Sequence, residues 1–326
     1  MKSHAAYKPC LLTFIVLLVL PCVVVSQSEP QSDRPGSYAI RSSVDLVVLQ
    51  ATVRDRKGAL ISGLSKDNFQ VYEDQVLQKI ESFSHDDIPV TIGLVIDSSG
   101  SMRPKRSDVL DAALAFVRSS NPEDQMFVVS FNEYVSMGLP EDSPFTNDPV
   151  KLEMALSKRA ATGMTALYDA IAAAIERLQQ GKWDRKALIV VSDGGDNASG
   201  HGLTQIMSMV NQSDAVIYTM GIFDESDQDR NPGVLKQLSR ASGGEAFFPD
   251  TLKEILPMCE QIAHDIRSQY TLTFMPTNKK QDGTYRTIEV KAREGWAGRR
   301  LSVSTRPGYT APSNLHRSDD NWSDRP

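Results

Sequence analysis

Disulfide chemistry is missing from most of this chain. Of three cysteines in 326 residues, Cys10 and Cys22 fall in an apolar N-terminal leader and only Cys259 lies beyond it. No intrachain bridge can form once the leader is gone, so a packed core must hold the fold. Positive charge is also short: 35 Lys and Arg stand against 41 Asp and Glu, a formal net charge of −6, with no basic cluster. That argues against nucleic acid as a partner, because a phosphate backbone needs a basic face. Histidine is sparse. His4, His85, His201, His264 and His316 include no pair at metal-ligand spacing, and no G-x-S-x-G nucleophile elbow occurs.

The leader itself has a clear pattern. Lys2 and Lys8 make a positive start, an apolar run follows from Leu11 to Val25, and Val24-Val25-Ser26 precede Gln27. This predicts a secretory signal peptide over residues 1–26 and an exported protein: periplasmic, cell-surface or secreted. The competing reading is an uncleaved anchor, but the run is short for a spanning helix and holds Pro21. Pro21 before Cys22 also disfavours a lipoprotein signal. No stable membrane span is expected after cleavage. Residues 27–40, rich in Ser, Gln and Pro, read as a flexible linker.

The remaining chain changes period twice. In residues 41–88, Leu49, Ala51 and Val53 alternate with polar residues, and Phe69 with Val71 repeats the pattern, as half-buried strands do. Residues 89–269 alternate strand and helix. Val90 to Ile96 is a near-continuous apolar strand. Val109, Leu110, Ala113, Leu114 and Val117 form one helical stripe. Leu167, Ile171, Ala174, Ile175 and Leu178 form another, with Gly181 as its expected cap. Strands are expected over Met126–Phe131, Ala187–Val191, Ala215–Met220 and Glu245–Phe248, and helices over Val234–Ala241 and Leu252–Gln269. Pro257 either kinks the last of these or marks its start. In residues 270–310 strands return at Tyr270–Met275, Tyr285–Ala292 and Leu301–Thr305. Residues 311–326 read as a disordered tail.

The fold class is therefore α/β, a Rossmann-like doubly wound, mostly parallel sheet. The two β-rich flanks are each too small to bury a core alone. Pairing with each other solves this, and makes the α/β domain an insertion in a small β-sandwich.

The chemistry concentrates in Ile96-Asp97-Ser98-Ser99-Gly100-Ser101-Met102. The segment follows a buried strand and precedes a helix, so it lies at the carboxyl edge of the sheet, where open α/β folds bind ligands. A carboxylate and two hydroxyls at alternate positions are hard oxygen donors suited to Mg²⁺ or similar ions.

The D-x-S-x-S of Asp97, Ser99 and Ser101 resembles the metal-ion-dependent adhesion site of von Willebrand factor A domains. Gly163-Met164-Thr165-Ala166-Leu167 resembles the loop that supplies the family's threonine, here Thr165. Val191-Ser192-Asp193-Gly194-Gly195 resembles the strand end that supplies its second aspartate, here Asp193. The flanks Gly63-Leu64-Ser65-Lys66-Asp67-Asn68-Phe69, Ile266-Arg267-Ser268-Gln269-Tyr270 and Arg306-Pro307-Gly308-Tyr309 look like a bacterial group of von Willebrand factor A-related proteins. The resemblance implies a Mg²⁺, Mn²⁺ or Ca²⁺ site. Ser99, Ser101 and Thr165 would bind directly, and Asp97 and Asp193 mostly through water. The weakly neutralised ion would then take an Asp or Glu carboxylate from a partner protein. In related A domains the last helix shifts when this happens. Here that helix runs into the strand at Tyr270, which would carry the shift to the flanks.

Blander readings exist for each residue. Ser101 and Thr165 could be helix N-caps, and Asp97 and Asp193 could simply accept loop amides. Asp196 and Asn197 read as turn residues, and Asp169 as a carboxylate favourable at a helix start. A structural envelope protein with a vestigial or purely stabilising metal site is the main alternative function. A hydrolase using an aspartyl nucleophile would need an acid–base carboxylate two residues after Asp97, and Ser99 stands there. No catalytic residue is assigned.

Overall fold

The structure is a computed structural model, and it describes residues 46–158, 160–223, 230–294 and 299–313. The leader, the 27–40 linker and most of the expected tail lie outside the described residues. Among those described, no helix is long and apolar enough to cross a membrane.

Four strands come first: β1 (Val47–Arg54), β2 (Phe69–Glu73), β3 (Val76–Gln78) and β4 (Ile80–Ser84). The α/β region follows as β5 (Thr91–Asp97), α1 (Arg106–Ser119), β6 (Gln125–Phe131), β7 (Val135–Met137), α2 (Pro149–Ser157), α3 (Leu167–Gln179), β8 (Lys186–Ser192), α4 (Leu203–Gln212), β9 (Val216–Gly221), α5 (Pro232–Ser242), β10 (Ala246–Phe247) and α6 (Ile255–Arg267). Five strands close the chain: β11 (Tyr270–Phe274), β12 (Tyr285–Glu294), β13 (Arg299–Arg300), β14 (Ser302–Ser304) and β15 (Gly308–Thr310).

The central sheet has the order β10-β9-β8-β5-β6-β7. Every pairing in it is parallel except that of the edge strand β7. All seven residues of β5 are buried, which is why its sequence is an unbroken apolar run rather than an alternating one. One face packs against α1, α2 and α6 through residues such as Ile92, Leu94, Phe116 and Ile262. The other packs against α3, α4 and α5 through Val95, Val129, Ile171 and Leu235.

The flanks pair with each other. One sheet has the order β14-β1-β11-β4 and the other β13-β12-β2-β3, with β15 also on β12. Each sheet thus mixes strands from both ends of the chain. Leu49 faces Leu272 across β1 and β11, and Val71 faces Val290 across β2 and β12. Their inward side chains, with Phe69, Tyr270, Phe274 and Tyr309, form a separate buried core. The rings of Phe69 and Tyr270 lie 5.0 Å apart. The α/β region is therefore an insertion within a two-sheet β structure.

Polar contacts fasten the two parts together at helix ends. Arg185, just before β8, donates to the Asp86 carbonyl of the first flank at 3.4 Å and to the Ile266 carbonyl at the C-terminus of α6 at 2.9 Å. Arg306 donates to the carbonyls of Asn211 at 2.8 Å and Ser213 at 3.0 Å, at the C-terminus of α4. Both guanidiniums meet carbonyls that a helix leaves unpaired, at the negative end of its dipole. Arg54 of β1 pairs with Asp265 of α6 at 2.5 Å.

Some expectations change. Pro257 does not kink a helix: α6 starts at Ile255, after a short 3-10 turn over Leu252–Glu254, and Pro257 sits in its first turn. Proline is tolerated there because the amide it lacks has no intrahelical acceptor. No mid-helix break is thus available to localise a movement. Gly181 is not a left-handed cap. A Cβ on it would lie 2.4 Å from Thr91 Cγ2, so close approach requires the glycine. The tail does not start at 311: Ala311 is buried, its amide donates to the Thr284 carbonyl, and Ser313 bridges to Asp282. Helices α2 and α4 and strand β7 were not foreseen in the sequence.

Candidate metal centre

Three loops meet above the carboxyl ends of β5, β6 and β8. The first leaves β5 as a 3-10 turn, Gly100–Lys105. Asp97 Oδ1 accepts the Ser99 amide at 2.8 Å, which curls this loop back on the strand end. The Ser99 and Ser101 hydroxyls lie 3.0 Å apart, and Ser101 Oγ donates to Asp193 Oδ2 at 2.5 Å. Asp193 Oδ1 accepts the Gly195 amide at 3.0 Å. Four of the five expected residues thus form one continuous hydrogen-bonded chain.

Thr165 arrives on the second loop. That loop is tied to the first by Thr162 N to Ser98 O at 2.9 Å and Gly100 N to Gly163 O at 3.1 Å. It is tied to the end of β6 by Ala166 N to Asn132 O at 2.7 Å and by Asn132 Nδ2 to Thr162 O at 3.1 Å. Asn197 Oδ1, on the third loop, accepts the Thr165 amide at 2.8 Å. Thr165 is 6% exposed, Asp97 and Asp193 are 2% and Ser99 is 1%.

The helix-cap alternative does not hold for Ser101 or Thr165. Ser101 lies inside the 3-10 turn with its hydroxyl turned to Asp193. Helix α3 begins at Leu167, and its early amides are met from the third loop: Tyr168 N by Asp196 Oδ1 at 3.1 Å and Asp169 N by Ser199 Oγ at 3.1 Å. Asp196 and Asn197 therefore act as turn residues that also fix the Thr165 loop. Asp169 accepts the amides of Gly200 and His201 and contacts His201 Nδ1 at 2.7 Å. The loop-amide reading of Asp97 and Asp193 is half of the picture. In each, one oxygen binds an amide and the other a hydroxyl.

Electrostatically the centre is acidic and poorly neutralised. The partners described for both carboxylates are hydroxyls and backbone amides. Burial first, and the nearby Asp193 charge as well, push the Asp97 carboxyl up to about 6, while the Ser99 and Ser192 hydrogen bonds pull it down. Two like charges in a buried cleft favour an added cation. Hard oxygens of carboxylate and hydroxyl type suit a divalent ion of the Mg²⁺ class, so the residues present fit one. Among the described residues, no group of three His, Cys, Asp or Glu side chains could hold a metal. Hydroxyls carry this donor set.

Sequence reasoning missed Ser192. Its hydroxyl donates to Asp97 Oδ2 at 2.7 Å and accepts the Gly194 amide at 3.0 Å, linking strand ends β5 and β8. Asn132, joining the loops from β6, was missed for the same reason. Only the spatial adjacency of the strands reveals either role.

Residues 92–195 match the family profile of the von Willebrand factor type A domain. The chain contains a von Willebrand factor type A domain. All five site residues fall within the matched segment. Uncharacterized protein sll0103 of Synechocystis sp. is 22% identical over 178 residues, which cover 54% of this chain and 41% of that protein. This match spans less than half of the relative's own length. Among solved structures, a von Willebrand factor type A protein from Catenulispora acidiphila superposes with a TM-score of 0.50 at 12% identity, covering 83% of this chain and 74% of that one. It shares the fold. Proximal thread matrix protein 1 from the mussel byssus, in a structure with a zinc-occupied MIDAS motif, gives a TM-score of 0.47 at 16% identity, covering 58% of this chain and 48% of that one.

Proposed function

We propose that this chain is an exported, non-enzymatic binding protein whose type A domain holds a divalent cation and captures an acidic group of a partner protein. One observation carries the reading. Asp97 and Asp193, each 2% exposed, share one cleft and are met by hydroxyls and amides rather than by a cationic side chain. Two buried like charges so arranged are costly unless a cation joins them.

In this reading Ser99, Ser101 and Thr165 hold Mg²⁺, Mn²⁺ or Ca²⁺ directly, and Asp97 and Asp193 hold it mostly through water. Neutral hydroxyl ligands leave the ion much of its charge, which supplies the attraction for a partner's Asp or Glu. Asp97 keeps the first loop folded through the Ser99 amide, and Asn197 keeps Thr165 in place. Ser99 occupies the position where an aspartyl-nucleophile hydrolase needs its acid–base carboxylate, which favours binding over turnover. Export rests on the pattern of residues 1–26.

The test is a thermal-unfolding titration with MgCl₂ and MnCl₂ on wild type and Asp97→Ala, each against EDTA. At 100 times Kd the ion stabilises wild type by about 2.7 kcal/mol, and Asp97→Ala loses most of that shift. Equal shifts in both proteins would remove the site assignment.

A further inference from the structure

Two large side chains stand exposed at the rim of the metal centre. Met164, immediately before Thr165, is 54% exposed, and Tyr134, just past β6, is 67% exposed. Isolated exposed apolar groups are common on protein surfaces and carry little meaning alone. This pair is different because its backbone is built into the site.

The Met164 amide donates to Glu133 Oε2 at 3.2 Å, next to Tyr134 in sequence. Asn132 Oδ1 accepts the Tyr134 amide at 3.0 Å, while Asn132 Nδ2 donates to the Thr162 carbonyl at 3.1 Å. Gly163 adopts φ +85°, and a Cβ on it would lie 1.8 Å from Glu133 Oε2, so the Glu133 carboxylate fills the space a side chain would take. That left-handed turn and the carboxylate packed over it hold Met164 on the rim rather than in the core. The two side chains thus lie on loops cross-linked to each other and to Thr165.

We infer that Met164 and Tyr134 form an apolar specificity rim that selects a protein segment in which an Asp or Glu stands beside a large apolar residue. The inference rests on the metal-dependent reading above and deepens it. The cation sets the charge of the partner group, and the rim sets its neighbour. Met is unbranched and polarizable, so it adapts to partner side chains of varied shape. Tyr offers a rigid aromatic face at small entropic cost, and it is among the residue types that dominate binding energy at interfaces. Because cross-linked loops already hold both, little ordering opposes binding.

The experiment uses bead-displayed peptides Gly-X-Glu-Y-Gly, with X and Y each Ser, Lys, Leu or Phe, probed with the folded protein in MgCl₂ or EDTA. Multivalent display makes weak single-site binding readable. Wild type is expected to be retained at least about 5-fold better when X or Y is Leu or Phe than when both are Ser, the size expected for partly burying one apolar side chain. The double variant Met164→Ser, Tyr134→Ser is expected to lose this preference while keeping EDTA-sensitive retention on Ser-flanked acidic peptides. Equal retention on Ser- and Leu-flanked peptides, or an unchanged preference in the double variant, would overturn the rim while leaving metal-dependent binding intact. Retention insensitive to EDTA in every arm would overturn both. Both residues are exposed, so the variant is expected to unfold at the same temperature as wild type.

Discussion

Two of the places where the molecule buries carboxylates treat them in opposite ways. In the sandwich, Glu73 is 2% exposed beside Arg286 at 3%. Their charged atoms are 3.5 Å apart, Tyr309 donates its hydroxyl to the same carboxylate oxygen, and Arg286 also donates to the Asn278 carbonyl at 2.6 Å. Burial, and then the Glu73 carboxylate beside it, push the Tyr309 hydroxyl above its ordinary value, so it remains a donor. At the carboxyl edge of the A domain, Asp97 and Asp193 are equally buried, yet they face hydroxyls, amides and one another. A structural cluster balances its charge internally. The A-domain centre leaves a negative excess, and that excess is what a cation or a cation-bearing assembly can use.

The largest break in this comparison should come from unbalancing the sandwich. Arg286→Met strands the Glu73 charge and is expected to cost about 3–5 kcal/mol in urea unfolding. Adding Glu73→Leu should restore more than half of that loss. A single-variant cost under about 1 kcal/mol would mean the pair is not compensating. A smaller effect should come from Ser192→Ala, which removes a hydroxyl from Asp97 and adds no charge. It is expected to weaken Mn²⁺ binding about 10-fold by calorimetric titration. Unchanged affinity would show that Asp97 is oriented without it.

The smallest effect concerns an intermediate case. Asp265 is paired with Arg54 at 2.5 Å, yet burial, its largest influence, pushes it up to about 6 from its ordinary 3.8. Between these values the folded state binds a proton that the unfolded state does not. Stability from this group is therefore gained as pH falls from 7 toward 4 and lost as pH rises through about 6. In EDTA, wild type should gain on the order of 1 kcal/mol more than Asp265→Asn over that range. Asp97 and Asp124, also raised to about 6, titrate in both proteins and cancel in the difference. Parallel pH profiles would mean that Arg54 keeps Asp265 ionised throughout.

Legibility in the sequence followed the range of each interaction. The strands of the central sheet were readable because burial on both faces writes a continuous apolar run. The pairing of the flanks was readable from their size and period. The residues Asp97, Ser99, Ser101, Thr165 and Asp193 were readable as types at fixed spacings on strand ends, and the structure gathers their loops. Helix α2 carries a start signal in Asp148, which accepts the Val150 amide, and Pro149. Only Leu152, Ala155 and Leu156 are buried along it, too few for a clear stripe. Helix α4 buries only Ile206 and Val210. Ser192, Asn132 and Asn197 act across loops distant in sequence, and no local pattern marks such contacts.

The interleaving of the flanks sets an order of assembly. Ser84, where the chain enters the inserted domain, lies opposite Thr271, where it has just left it. Thr271 bonds Gln50, 221 residues away in sequence. Strand pairings within the A domain close shorter loops, the longest being the 95 residues from Thr91 to Lys186. Strands β1 and β11 face a far costlier loop closure unless the A domain has already folded and brought its two ends together. The outer domain is thus begun first and completed last. Until then the alternating edge of β1 is open to pairing with other chains. Sandwich formation is thus coupled to folding of the domain inside it, which shortens the loop that β1 and β11 must close.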